Sequence, residues 1–106
     1  MNVLIIDDDA ITCKVLSKQI EKFKVGIPVS FSNGMDALGE LSKYPDKYDL
    51  ILCDKNMPNL TGKEFIIKIK KDPRISNIPI IVISADNNIQ EASELIDYGA
   101  MDYILK

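Results

Sequence analysis

The chain has 106 residues, 46% of them hydrophobic and 27% charged, which suits one compact domain with a modest core and excludes a two-domain enzyme. Sixteen acidic against 13 basic residues give a formal net charge of −3 without a basic cluster, so a nucleic-acid-binding surface is not expected. Apolar runs such as Val3–Ile6 stop far short of the roughly 20 residues a bilayer span requires, and no basic segment precedes that run to suggest a signal peptide. Cys13 and Cys53 lack metal-ligand spacing and are too few for a disulfide scaffold, which makes a reducing cytoplasm the expected compartment. The chain contains no histidine. That removes the usual general base, the Ser-His and Cys-His nucleophile pairs and most zinc sites, leaving carboxylates, hydroxyls and lysines for any chemistry.

Val3 to Ile6 is a β-branched and aliphatic run ending at Asp7-Asp8-Asp9, the pattern of a strand buried on both faces. Ile11, Val15, Leu16, Ile20 and Phe23 follow helical spacing, with Asp9 placed to cap the start and Gly26-Ile27-Pro28 closing the segment. A second strand is expected over Val29 to Phe31. A short helix follows through Met35, Leu38 and Leu41, entered at Ser32-Asn33-Gly34 and left at Tyr44-Pro45. Leu50-Ile51-Leu52-Cys53 is a third buried strand ending at Asp54, and the loop from Lys55 to Gly62 leads into a helix carrying Phe65, Ile66 and Ile69. Ile80-Ile81-Val82-Ile83 is the fourth strand, followed by Ser84-Ala85-Asp86 and by a helix with Ile89, Ala92, Leu95 and Ile96 that stops at Gly99. Tyr103-Ile104-Leu105 begins a fifth strand before Lys106.

Strands alternating with helices predict an α/β fold with a doubly wound, parallel five-stranded sheet, because short connections between parallel strands cross over through right-handed helices. Ligands of such sheets sit outside the carboxyl ends of the strands, at the point where strand order reverses. That edge collects Asp7, Asp8 and Asp9, Asp54, Ser84 and Lys106. Carboxylates brought within a few ångströms repel unless a cation or proton intervenes. An all-oxygen set suits Mg²⁺ or Mn²⁺ rather than zinc, and Mg²⁺ commonly completes its shell with phosphate oxygens. With a lysine and a hydroxyl opposite, the set describes a cradle for a phosphoryl group, and a carboxylate can itself be the nucleophile, forming an aspartyl phosphate without a histidine on this chain.

Taken together, Ile6-Asp7-Asp8-Asp9, Asp54-Lys55-Asn56-Met57-Pro58 with Gly62, Ile83-Ser84-Ala85 and Tyr103-Ile104-Leu105-Lys106 resemble the receiver domain of bacterial response regulators in two-component signalling. The resemblance spans essentially the whole chain, in the right order. It implies the flavodoxin-like strand order 2-1-3-4-5, and a cytoplasmic signalling domain that is not an enzyme on a separate substrate, although self-dephosphorylation is compatible with it. It implies that a sensor histidine kinase or phosphotransfer protein donates a phosphoryl group to Asp54 with Mg²⁺ or Mn²⁺, and that a downstream protein partner reads the result. Asp8 would be a direct metal ligand and Asp7 a ligand mainly through water, with Asp54 and the backbone carbonyl of Asn56 completing the metal set. Ser84 would move to bond the phosphoryl group, Lys106 would pair with it, and Tyr103 would swing inward with Ser84. Asn56 and Asp86 match positions that tune phosphoryl lifetime.

Simpler readings stand beside these. Asp9 is better explained as a helix cap, Cys53 as a small buried hydrophobe, Tyr103 as a strand former, and Met57-Pro58 with Gly62 as loop geometry. Thr61 stands where the family usually has Asp, and a threonine can still cap the helix. The family also follows its lysine with a proline and a fifth helix, whereas this sequence ends at Lys106. The expectation is a receiver domain over 1–106 lacking its last helix, cut from a longer regulator, with a naturally short chain or cover by a neighbouring molecule as alternatives. An under-covered apolar strip on the first and third strands, lowered stability and dimerisation through that face would follow. Two rival functions remain. Asp7-x-Asp9 with Thr12 faintly resembles an aspartate-nucleophile phosphatase, but the spacing to Thr12 is one residue too long and a cap insertion is missing. A receiver-like docking module that works without phosphorylation would be expected to have lost an acidic residue or the lysine, and both are present.

Overall fold

The computed structural model describes residues 1–57 and 59–105, so Pro58 and Lys106 lie outside the described residues. Among the described residues five strands alternate with four helices: β1 (Asn2–Ile6), α1 (Ala10–Lys22), β2 (Ile27–Phe31), α2 (Gly34–Lys43), β3 (Leu50–Asp54), α3 (Gly62–Lys71), β4 (Ile80–Ser84), α4 (Ile89–Tyr98) and β5 (Asp102–Leu105). All strands pair in parallel, in the order β2-β1-β3-β4-β5. The fold is therefore the doubly wound, flavodoxin-like α/β sheet expected from the sequence, without a fifth helix among the described residues.

Alternation along the central strands sorts the core into two layers. Leu4 and Ile6 of β1, Ile51 and Cys53 of β3 and Ile80 and Val82 of β4 face Ala37, Leu41, Phe65, Ile66, Ile69 and Leu95 from α2, α3 and α4. Val3 and Ile5 point to the other face, where Ile20, Cys13 and Leu16 of α1 cover them together with Leu50 and Leu52. β1 is buried on both faces, while β3 and β4 are buried towards α2, α3 and α4 and half-buried at Leu50, Leu52 and Ile81 on the other face, and all three read as unbroken aliphatic runs.

Each helix starts on a side-chain cap. Asp9 accepts the Ile11 N–H at 3.1 Å and Asn33 the Asp36 N–H at 2.8 Å, while Asn88 accepts the Glu91 N–H at 3.1 Å. Thr61 and Glu64 close a reciprocal capping box at the start of α3, so the threonine fulfils the role expected of it. At the other end of α4, Gly99 adopts φ +125°, and a Cβ there would lie 2.7 Å from the Lys70 side chain.

Three local expectations are corrected. Strand β2 begins at Ile27 rather than Val29, because Pro28 lies on an edge strand, where the missing N–H breaks no interior ladder. Helix α1 ends at Lys22, with Lys24 at φ 54° turning the chain, so Phe23 falls beyond the helical face and is 69% exposed. The under-covered apolar strip spares β1, whose Val3 and Ile5 are fully buried beneath α1, but takes in β3 through Leu52 and extends onto β4 and β5. It is a groove of about 520 Å³ between α1 and the far side of the sheet, lined by Ile11, Val15, Leu52, Ile83, Ile104 and Leu105. The strand order explains the shift, since α1 sits over the sheet centre and leaves β4 and β5 bare on that face.

Phe65 is fully buried where α3 meets the sheet. Phe65→Ala is expected to lower unfolding free energy by about 3–5 kcal/mol, measured by urea denaturation, because the cavity has rigid strand walls.

Candidate functional site

The parallel strands all deliver their carboxyl ends to one edge, and each functional side chain is placed by its strand. In the ladders Ile6 pairs with Cys53 and Asp54 with Ile83, so Asp7, Asp54 and Ser84 occupy three neighbouring strand ends. One carboxylate oxygen from each of Asp7, Asp8 and Asp54 lies within 4.8 Å of the others. Asp7 and Asp54 are buried and Asp8 is exposed, so the cluster opens to solvent on the Asp8 side. The Asp7 N–H continues the ladder to the Phe31 carbonyl at 3.1 Å, and its carboxylate accepts the Asp9 N–H at 2.9 Å. Those two bonds hold Asp7 against the sheet edge. Asp9 turns away to cap α1 and also accepts the Thr12 hydroxyl at 2.7 Å.

Three carboxylates this close constitute an all-oxygen donor set whose mutual repulsion a hard divalent cation relieves. The fit is to Mg²⁺ or Mn²⁺; with neither histidine nor a thiolate in the cluster, zinc is poorly served. Cys53, beside Asp54, is fully buried, and burial first, then the Asp54 and Asp7 charges, push its thiol far up from the ordinary range. Cys13 is raised for the same leading reason, burial, with Asp7 and Asp9 adding to it. In both, the shift disfavours the thiolate.

The loop after Asp54 is anchored at both ends. The Lys55 N–H donates to the Ile83 carbonyl at 3.1 Å, and the Gly62 N–H donates to the Lys55 carbonyl at 2.8 Å. A Cβ on Gly62 would meet the Asp54 carbonyl oxygen and the Lys55 backbone at 3.1 Å, so glycine is what lets α3 start against the site loop. Asn56 is exposed two residues past Asp54. Ser84 is 2% exposed, and its Oγ accepts the Asp86 N–H at 3.0 Å. Tyr103, half-buried on the edge strand β5, donates its hydroxyl to the Asp86 carbonyl at 2.7 Å. The structure thus brings Asp7, Asp8 and Asp54 together, with Ser84 on the adjoining strand end; Lys106 lies outside the described residues.

Sequence spacing missed Lys55. Its ammonium pairs with Asp86 at 3.1 Å and with Glu91, the residue that closes the first turn of α4. Glu91 in the first place holds this lysine charged above its ordinary range, against an opposing burial effect, with Asp86 adding to it. A lysine beside the acidic triad and an acid in the first turn of α4 were both visible, but their meeting depends on tertiary placement of the loops.

The structure is thus a doubly wound parallel α/β sheet with an all-oxygen acidic cluster at the carboxyl ends of its central strands. Residues 3–106 match the response regulator receiver domain family. The rice two-component response regulator ORR8 is 32% identical over 105 residues, covering 99% of this chain and 85% of the relative. Among solved structures, the N-terminal domain of a response regulator receiver protein from Methanoculleus marisnigri superimposes with TM-score 0.86 at 31% identity, over 99% of this chain and 83% of that one. The CheX-CheY-BeF₃-Mg²⁺ complex of Borrelia burgdorferi gives TM-score 0.90 at 26% identity, over 100% of this chain and 78% of the matched one. The chain belongs to the response regulator receiver domains of two-component signalling.

Two substitutions probe the geometry. Asp8→Asn is expected to weaken Mg²⁺ binding at least about tenfold in calorimetric titration while leaving the melt nearly unchanged, since this carboxylate is exposed. Gly62→Ala is expected to cost about 1–3 kcal/mol in denaturant unfolding, because the Asp54 and Lys55 backbone must move to admit the methyl group.

Proposed function

We propose that this receiver domain accepts a phosphoryl group on Asp54 from a phosphorylated histidine of a sensor kinase or phosphotransfer protein, and that the change alters its affinity for a downstream protein. The observation that carries the reading is the convergence of Asp7, Asp8 and Asp54 at the sheet's switch edge. A carboxylate oxygen of Asp54 attacks phosphorus, the phosphorus–nitrogen bond breaks, and the bond pair leaves with the donor imidazole. A bound Mg²⁺, or Mn²⁺ in its place, supplies charge neutralisation for the carboxylates and the transferred group. Asp7, Asp8 and Asp54, with the backbone carbonyl of Asn56, would hold that cation. Lys106 pairs with the phosphoryl oxygens. Ser84 gives up its bond from the Asp86 N–H and turns its hydroxyl to the phosphoryl group, and Tyr103 follows by leaving the Asp86 carbonyl.

Turnover of a separate substrate is not part of the role; hydrolysis of the chain's own aspartyl phosphate resets it, with Asn56 and Asp86 placed to govern the approach of water. The free thiols of Cys13 and Cys53 suit a reducing cytoplasmic setting. No helix among the described residues is long and apolar enough to cross a membrane. The bare groove of α1, β4 and β5 would let a second copy of the chain dock. Docking without phosphorylation is the weaker reading, because the acidic triad has been kept together at a repulsive separation that docking alone would not require.

Incubation with a radiolabelled phosphohistidine phosphotransfer protein and Mg²⁺ is expected to move label to this chain, with transfer abolished by chelator. Label that stays on the donor while the folded chain is present in excess would favour the docking reading.

A further inference from the structure

The loop that follows Ser84 is exposed from Ala85 to Asn88, yet it is tied at every polar handle. The Asp86 N–H donates to Ser84 Oγ, its carbonyl accepts the Tyr103 hydroxyl, and Oδ1 accepts the Asn88 N–H at 3.1 Å. Its remaining carboxylate oxygen, Oδ2, accepts from Lys55 Nζ, which also pairs with Glu91. Glu91 in turn gives its N–H to the Asn88 cap of α4. Lys55, Asp86, Asn88 and Glu91 therefore form a closed ring. The ring is anchored on one side to a strand end that does not give, because Lys55 is held by backbone bonds to Ile83 and Gly62. The Lys55 side chain is only 11% exposed, against 54% for Asp86 and 47% for Glu91, so the ring ties two exposed carboxylates to a lysine packed at the strand end.

From this ring we infer that Lys55 is a positioning residue that clasps the Ser84–Asp86 loop and the first turn of α4 in the unphosphorylated arrangement, and that this clasp opposes the loop movement that binding of a phosphoryl group at Asp54 requires. The inference rests on the phosphoacceptor reading above. A phosphoryl group brings a charge of about −2 to Asp54 and three acceptor oxygens that a hydroxyl at the neighbouring strand end can bond. Ser84 can turn to that group only when the Asp86 N–H lets go, and the Lys55 bond to Asp86 opposes that release. The clasp and the phosphoryl group thus favour different arrangements of one loop, so weakening the clasp raises the affinity of the site for a phosphoryl mimic. Glu91 is the residue to change, because its removal loosens the clasp while leaving Lys55 and its bond to Asp86 in place.

The test uses Glu91→Gln, Lys55→Gln and Lys55→Arg, read by two measurements. In hydrogen exchange without ligand, Glu91→Gln and Lys55→Gln are expected to speed exchange over residues 85–92 by about two- to fivefold, the range of a partly screened ion pair, while Lys55→Arg remains near the parent. In titrations with beryllofluoride and Mg²⁺, Glu91→Gln is expected to bind about two- to fivefold tighter than the parent, an advantage that shrinks as salt rises. Unchanged exchange in both glutamine variants would overturn the clasp itself. Faster exchange with equal beryllofluoride affinity in parent and Glu91→Gln would reduce the ring to a structural tie and overturn its coupling to Asp54. If the parent fails to bind beryllofluoride at all, the phosphoacceptor reading falls, and the coupling with it, whatever exchange shows.

Discussion

Three carboxylates held within 4.8 Å of one another, two of them buried, are the feature around which the rest of the molecule is organised. Like charges at that separation repel, a rigid scaffold holds them there, and a hard divalent cation would offset the repulsion. The rigidity comes from β1, buried on both faces, and its parallel neighbour β3, which bring Asp7 and Asp54 out at neighbouring strand ends. The helix caps then lead the chain away from the edge without spending the acidic side chains on structure: Asp9 starts α1, so Asp7 and Asp8 remain at the cluster, and Thr61 starts α3, so the loop after Asp54 stays open.

Around this fixed acidic floor lies a more loosely held side. The loop after β4 is exposed, and its order derives from hydrogen bonds and ion pairs rather than from burial: Ser84, Tyr103 and Lys55 each hold one handle of Asp86. A site built this way combines a rigid half, where charge is concentrated, with a half whose position depends on polar contacts of modest strength. Such contacts respond to a new charge more readily than packed side chains do, because a packed core is bistable at best and cannot deform continuously.

Most of the architecture was legible in the sequence because burial on both faces writes a distinctive signal. Val3–Ile6, Leu50–Cys53 and Ile80–Ile83 are aliphatic runs that end at Asp7, Asp54 and Ser84, and parallel connectivity puts those ends on one edge. The acidic cluster followed from that alone, before any family resemblance. The misses occur where local pattern and tertiary position part company. Pro28 read as a stop, but an edge strand has no partner to lose on one side, so β2 runs through it. Ile11 and Val15 have helical spacing, yet they face the bare groove over β4 and β5 rather than a core, since spacing reports a face and not what covers it. Lys55 was invisible for the same reason: its partners are 31 and 36 residues away, on a loop and a helix whose approach no local rule encodes.

The central claim is that Asp54 is the phosphoacceptor in a cation-dependent acidic site. Intact-mass spectrometry of the folded chain after incubation with a small-molecule phosphodonor and Mg²⁺ tests it most directly. The account predicts one added phosphoryl group, absent with chelator and absent in Asp54→Asn. An unmodified mass for the well-folded parent, or an adduct that persists in Asp54→Asn, would contradict it.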